Sequence, residues 1–194
     1  MRPVIILFAK APIPGSVKTR LVPPLTAIEA AELHDGFVCG TIERLRTLGG
    51  FDLELHTDIE TGRWTEYGLP RALQTEGDLG LRMFRALESG LERGHPRAMI
   101  VGSDAPTLPL AHLELLLQST KDVALGPTED GGFYAIACRR VDARMFDGVP
   151  WSAPDTLAAT VDAARRCGLS VELGELWFDV DTPADLERLR AGKT

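Results

Sequence analysis

Three cations stand close together near the start of the chain. The segment Phe8-Ala-Lys-Ala-Pro-Ile-Pro-Gly-Ser-Val-Lys-Thr-Arg-Leu21 carries Lys10, Lys18 and Arg20 in a stretch punctuated by Pro12, Pro14 and Gly15, directly behind the apolar run Val4-Ile5-Ile6-Leu7. Such a run reads as a buried strand, so the loop leaves its carboxyl end, the edge of an α/β sheet where ligands bind. The first 28 residues hold four basic residues and no acid, whereas the chain as a whole carries 28 acidic residues against 21 basic ones. A cationic loop in an otherwise acidic protein suits an anionic ligand, with phosphate foremost. The alternative is a solvated linker, but a strand in front and a helix behind confine this one.

Carboxylates follow two other apolar runs. In Val101-Gly-Ser-Asp104-Ala-Pro106 an aspartate ends a hydrophobic strand, placed either to bind a cation or to bond its own backbone in a turn. Magnesium and manganese take hard oxygen ligands, and Mg²⁺ commonly uses only one or two protein carboxylates plus substrate phosphates. In Phe178-Asp179-Val-Asp181-Thr-Pro183 two carboxylates stand two residues apart and project to one side if the chain stays extended. Asp179 is the expected metal partner of Asp104, and Asp181 the expected stabiliser of the positive end of the last helix. In Gly126-Pro-Thr-Glu-Asp130-Gly131-Gly132-Phe-Tyr134 the paired glycines permit close approach of a ligand, although Asp-Gly-Gly is equally a hairpin turn.

Other side chains carry less. His34, His56, His95 and His112 show no metal spacing and read as surface or helix residues. Trp151-Ser152 could stack on a substrate ring, with packing the plainer role, and Trp64 receives no assignment. Gly15 is not followed by the Gly-Lys-Ser/Thr of a P-loop, and no GxSxG elbow occurs.

The elements that must position these residues alternate between strand and helix, the pattern of a mostly parallel sheet covered by helices. Thr26 with Glu29 forms a capping box that opens a helix to about Leu48. Strands are expected at 53–56, 71–75, 98–101, 122–125, 133–137, 171–173 and 176–178. Asp78 caps a helix whose Leu79, Met83, Leu87 and Leu91 recur every four residues. Further helices carry Leu113, Leu116 and Leu117, run over about 156–167, and start at Thr182-Pro183. With neither repeat nor linker, residues 1–194 are expected to form one domain.

The bulk numbers set limits. A chain of 194 residues buries roughly 70% of its unfolded surface, and its 44% apolar and 25% charged residues are ordinary for a globular protein. A net charge of −7 argues against nucleic acid as partner. No stretch approaches the ~20 apolar residues of a membrane span, so no membrane role is expected. Cys39, Cys138 and Cys167 are odd in number and lack CxxC spacing, pointing to a reduced, cytoplasmic setting.

Taken together, AKxPxPGxVKTRL (9–21), GSDxPxL (102–108), DGGFYAI (130–136) and DVDTPxDL (179–186) resemble the nucleotide-diphospho-sugar transferases of the glycosyltransferase-A fold. More narrowly they resemble the bacterial group called transferase 1, radical-SAM/selenodomain-associated, whose members are commonly labelled glycosyltransferases. They are also similar to 2-phospholactate guanylyltransferases and, more distantly, to molybdenum-cofactor nucleotidyltransferases. The resemblance runs from Val4 to about Leu189 and implies an α/β three-layer sandwich with a mixed, mostly parallel sheet of six or seven strands. It implies that Lys10, Gly15, Lys18 and Arg20 cradle nucleotide phosphates and that Gln74, Gly77 and Gly80 lie near base and ribose. Asp104 and Asp179 would hold Mg²⁺ or Mn²⁺, Asp130, Gly131 and Gly132 would touch the acceptor, and Lys18 and Asp104 would be catalytic.

The implied partners are a nucleotide or nucleotide-sugar and an acceptor of unknown identity, with a homodimer left open. Glycosyl transfer comes first by the group's naming. The single Asp104, in place of an Asp-x-Asp motif, and the basic loop lean toward nucleotidyl transfer to a phosphorylated acceptor. A nucleotide-binding module without chemistry is the third reading.

Overall fold

The computed structural model describes residues 1–192. Seven strands form one sheet: β1 (Val4–Ala9), β2 (Asp52–Thr57), β3 (Arg71–Leu73), β4 (Ala98–Gly102), β5 (Val123–Pro127), β6 (Phe133–Cys138) and β7 (Val171–Leu173). Their order across the sheet is β3-β2-β1-β4-β6-β5-β7. Only β6 runs antiparallel, against β4 on one side and β5 on the other. All the parallel strands therefore end at one edge, and the loops that follow β1, β4, β5 and β7 meet there. The expected α/β three-layer architecture is the one observed.

Alternation along each strand feeds two cores. Val4 and Ile6 of β1 pack with Met83, Leu87, Ile100 and Val161 on one face, while Ile5 packs with Leu45, Met99, Leu113 and Leu116 on the other. The first face is covered by α2 (Leu79–Glu92) and α4 (Thr156–Arg166), the second by α1 (Ala27–Leu48) and α3 (Leu110–Gln118). The Thr26–Glu29 capping box opens α1 as its sequence requires. A last helix, α5 (Pro183–Arg190), buries Leu186 in a separate cluster with Leu21, Phe37, Phe178 and Val180. This cluster clamps the first loop of the chain against the last.

Some features depart from sequence expectation and others add to it. Residues 176–178 form no strand, and only Trp177 makes an isolated bridge, to Thr128. Phe178 and Val180 turn instead into the cluster beside Leu21. The capping box of α5 is made by Thr182 and Asp185, and the Asp181 carboxylate, expected beside the positive end of that helix, also turns to Lys18. His56 lies neither on a helix nor on the surface: it is buried in β2, stacked on Phe8. Trp64 is almost wholly buried beside Leu7, Val38 and Ile42.

One buried cation holds the sheet to α3. Arg97, just before β4, donates to the carbonyl oxygens of Ser119 (2.5 Å), Lys121 (2.9 Å), Leu116 (3.3 Å) and Ala137 (3.4 Å). Replacing it with Met strands those acceptors in a dry interior. Arg97→Met is expected to lower the unfolding free energy by about 3 kcal/mol, seen as a lower urea midpoint at unchanged slope.

Candidate functional site

A cleft of about 680 Å³ opens along the carboxyl edge of the sheet. Its lining includes Lys10, Lys18, Arg20, Gln74, Gly77, Asp104 and Asp130 among the residues singled out from sequence. Gly15, Gly80, Gly131, Gly132 and Asp179 lie outside that lining. Asp181, Arg82, His34, Trp151 and Ser152, to which sequence reasoning gave a lesser role or none, are inside it.

The first loop is positioned from below. Ala11 N–H donates to Asp58 Oδ1 at 2.7 Å, and His34 Nε2 lies 2.9 Å from the Lys10 carbonyl oxygen. Lys10 and Arg20 are exposed. Lys18 is not. It adopts a left-handed backbone with φ 48°, uncommon for a side chain with a Cβ, and its side chain is only 4% exposed. The ammonium donates to the Val180 carbonyl oxygen and to Asp181 Oδ1, each at 2.8 Å. It also lies 2.5 Å from Asp104 Oδ1 and 5.6 Å from the centre of the Phe37 ring. Asp104 Oδ1 is buried against this ammonium. Burial works against the Lys18 charge, yet Asp104 and Asp181 outweigh it and hold its pKa above the ordinary lysine value.

A backbone bond from Val180 N–H to the Asp104 carbonyl oxygen (2.8 Å) fixes the last loop against β4. Asp179, between Phe178 and Val180, is pushed up to about 8: burial is the main cause, and the charges of Asp104, Asp181 and Asp130 add to it. Lys18 acts in the opposite sense. The site thus presents more negative charge than its one buried lysine balances.

The glycines divide by role. A Cβ on Gly131 (φ +88°) would fall 1.9 Å from the Pro154 carbonyl oxygen. One on Gly80 would fall 2.7 Å from the Trp151 ring. Both glycines let neighbouring segments close up and set the cleft wall from behind. Gly132 N–H donates to Asp130 Oδ1 (3.0 Å), which also accepts from the Thr128 hydroxyl (2.6 Å). Gln74 Nε2 donates to the His56 carbonyl oxygen (3.1 Å), and Arg82 Nε to that of Gly77 (2.9 Å).

The Thr182-x-x-Asp185 box was the signal that frees Asp181 for Lys18, since a helix needs one such cap. No sequence pattern marks Arg82.

The raised Asp179 pKa has a sign that can be measured. Between its unfolded value near 4 and about 8 the folded chain holds a proton that the unfolded chain does not. Stability from this group is therefore lost as pH rises across that window. In the absence of divalent cations, Asp179→Asn should raise the Tm at pH 8.5 by roughly 3 °C or more and leave it nearly unchanged at pH 4.5. Equal shifts at both values would contradict the protonated carboxyl.

The chain is similar to known proteins. Residues 46–153 match the family described as "Uncharacterized protein conserved in bacteria (DUF2064)". A crystal structure from Desulfovibrio desulfuricans G20, provisionally named a nucleotide-diphospho-sugar transferase, is 33% identical, with a TM-score of 0.89 over 99% of this chain and 88% of that one. CMP:2-keto-3-deoxy-manno-octonic acid synthetase, complexed with CTP, has a TM-score of 0.63 at 17% identity over 98% of each chain. A nucleotidyl transferase from Methanothermobacter thermautotroptrophicus has a TM-score of 0.59 at 12% identity, over 99% of this chain and 97% of that one. These last two share the fold. No curated protein matches the sequence. With over half its length matched by the family and a third of its residues identical to a full-length structural relative, the chain belongs to the DUF2064 family of bacterial proteins.

Proposed function

We propose that the chain is a transferase whose donor is activated by a nucleotide. One observation carries the reading. Exposed cations from the first loop and carboxylates from three other loops meet in a single cleft at the carboxyl edge of the sheet. The donor's phosphates would lie against Lys10 and Arg20, below the tight turn at Gly15 (φ +82°). Base and ribose would extend toward Gln74 and Gly77. The provisional name of the D. desulfuricans relative supports the same class.

The donor set fits a divalent cation. The side-chain oxygens gathered here belong to carboxylates, Asp104 and Asp181 in the cleft and Asp179 beside them, the chemistry that Mg²⁺ and Mn²⁺ prefer. Among the described residues no group of three or more His, Cys, Asp or Glu is arranged to hold an ion. One or two carboxylates with substrate phosphates are enough for Mg²⁺. Asp104 and Asp179 would hold the ion, beside Asp181. When bound it would offset charge building on the leaving phosphate oxygens. Lys18 then serves chiefly to hold Asp104 and Asp181 in place, a positioning role more than a direct grip on the donor.

For glycosyl transfer, an acceptor hydroxyl oxygen bonds to the anomeric carbon as the bond to the nucleoside diphosphate breaks. The hydroxyl proton passes to a carboxylate of the cleft or to water. Nucleotidyl transfer is the second reading, favoured by the lone Asp104 at the end of β4 and by cations enough for a triphosphate. There an acceptor oxygen bonds to the α-phosphorus and pyrophosphate leaves. In both, positioning and charge compensation supply most of the rate.

Thermal unfolding with nucleoside triphosphates and nucleotide-sugars, each with and without Mn²⁺, tests the proposal. A ligand at ~100 times its Kd adds about 2.7 kcal/mol, a rise of roughly 5–10 °C at this size. Lys10→Ala with Arg20→Ala should remove most of that rise and leave the unliganded Tm within about 1 °C, since both side chains are exposed. Asp104→Asn should remove its Mn²⁺-dependent part. A wild-type protein that no nucleotide stabilises would overturn the reading.

A further inference from the structure

The cleft is divided by charge. Its cations Lys10, Arg20 and Arg82 belong to the first loop and to the start of α2, where Arg82 is held on the Gly77 carbonyl oxygen and the one carboxylate of this half, Asp78, is tied to the Leu81 N–H as the helix N-cap. Lys18, the remaining cation of the lining, is engaged by Val180, Asp181 and Asp104. The other half, over β4 and β6, offers Asp104, Asp130 and Asp181 and no unpaired cation among the described lining residues. Lys18 is already shared between Asp104 and Asp181, and an ion on Asp104 and Asp179 would be taken up by the donor phosphates, so a phosphate or carboxylate entering beside Asp130 would meet like charge.

The same half is apolar where it is not acidic. Met83, Ile100, Phe133, Ile136 and Trp151 form its wall. The Trp151 ring is seated against Gly80, where no Cβ would fit, and its centre lies 6.2 Å from that of Phe146. This packing fixes the indole while leaving it on the cleft surface. Next to it Ser152 is exposed and held at φ 61°, a strained backbone of the kind found at binding and active sites. The segment is braced from behind by the close contact of Gly131 with Pro154. Asp130 uses one oxygen, Oδ1, to tie its own turn through Thr128 and Gly132. Its Oδ2 has no protein partner among the described residues.

We propose that the acceptor is an uncharged, hydroxyl-bearing ring compound whose apolar face lies on Trp151 and whose hydroxyls bond to Asp130 and Ser152, and that phosphorylated or carboxylated acceptors are excluded. This rests on the transferase reading above and selects its acceptor class. It also runs against the phosphorylated acceptor that nucleotidyl transfer would bring. An aromatic wall with a carboxylate beside it is how a protein holds a neutral polyol: the ring covers C–H surface and the carboxylate takes hydroxyl protons.

The test is saturation-transfer NMR with a panel of neutral ring alcohols (methyl glycosides, inositols, cyclohexanediols) and their phosphate monoesters. Saturating UDP or GDP, whichever raises the Tm more, fills the cationic half. Neutral members should receive saturation, and Trp151→Ala should weaken their binding about tenfold. Asp130→Asn keeps Oδ1 as acceptor for the turn, guards against misfolding in the tryptophan variant, and should weaken the same ligands severalfold. Phosphate monoesters that displace the neutral compounds, or a panel in which no neutral member responds to either substitution, would overturn the proposal. The nucleotide-induced rise in Tm, recorded on the same variants, should persist. Its absence in the wild type would instead count against the donor reading, so the two failures are told apart.

Discussion

The ammonium of Lys18 joins the two ends of the chain. It reaches from the loop after β1 to the Val180 carbonyl oxygen and the Asp181 carboxylate, with Asp104 of the loop after β4 on its third side. Three loops that are distant in sequence thus share one charge. A buried cation is tolerated only when its partners surround it, and here two carboxylates and a carbonyl do so. The reverse also holds. Without Lys18 the aspartates of this edge would repel one another, as the raised pKa of Asp179 already shows in part.

That polar knot is held by apolar packing directly beneath it. Leu21 lies three residues after Lys18 and Val180 one residue before Asp181, and both are buried in a cluster with Phe37, Phe178 and Leu186. The cluster sets the distance between the two loops, and the ion contacts then fix their direction. This order explains why a left-handed lysine persists: the backbone cost, of order 1–3 kcal/mol, is met by contacts on both sides of the residue. It also explains why α5 belongs to the site although none of its side chains lines the cleft. By burying Leu186, the helix presents Asp181 to Lys18.

Much of this was legible in the sequence because it is local. Alternating apolar runs, the Thr26 and Thr182 caps and the Asp-Gly-Gly turn each follow from a few neighbouring residues. The convergence of Lys10, Arg20, Asp104 and Asp130 followed from a single topological fact, that parallel strands end at one edge. What was not legible depends on partners far away in the chain. Nothing local in Lys18 says that its charge is enclosed, because its acceptors lie over 160 residues on. Nothing in Gly80 says that it carries Trp151, because the indole arrives from a loop some 70 residues later. His56 and Trp64 were misread or left open for the same reason: burial is a property of the assembled sheet, and a polar-looking segment can still be covered by α1.

The division of the cleft by charge follows from how the sheet is wound. Strands β1 and β2 lie on one side of β4 and the β6–β5 pair on the other, so each half is furnished by different loops. The loop after β1 and the start of α2 bring the cations, with Asp78 spent on capping the helix; the loop after β4, the hairpin at Asp130 and the last loop bring carboxylates. Lys18 sits at the boundary, held by both loops that meet there, and is the one cation that crosses it. A reaction that joins an anionic donor to a neutral acceptor is compatible with such a boundary, since the cations are needed on the donor's side alone. A reaction between two anions would need cations on both sides, and the apolar wall of Phe133, Ile136 and Trp151 supplies none.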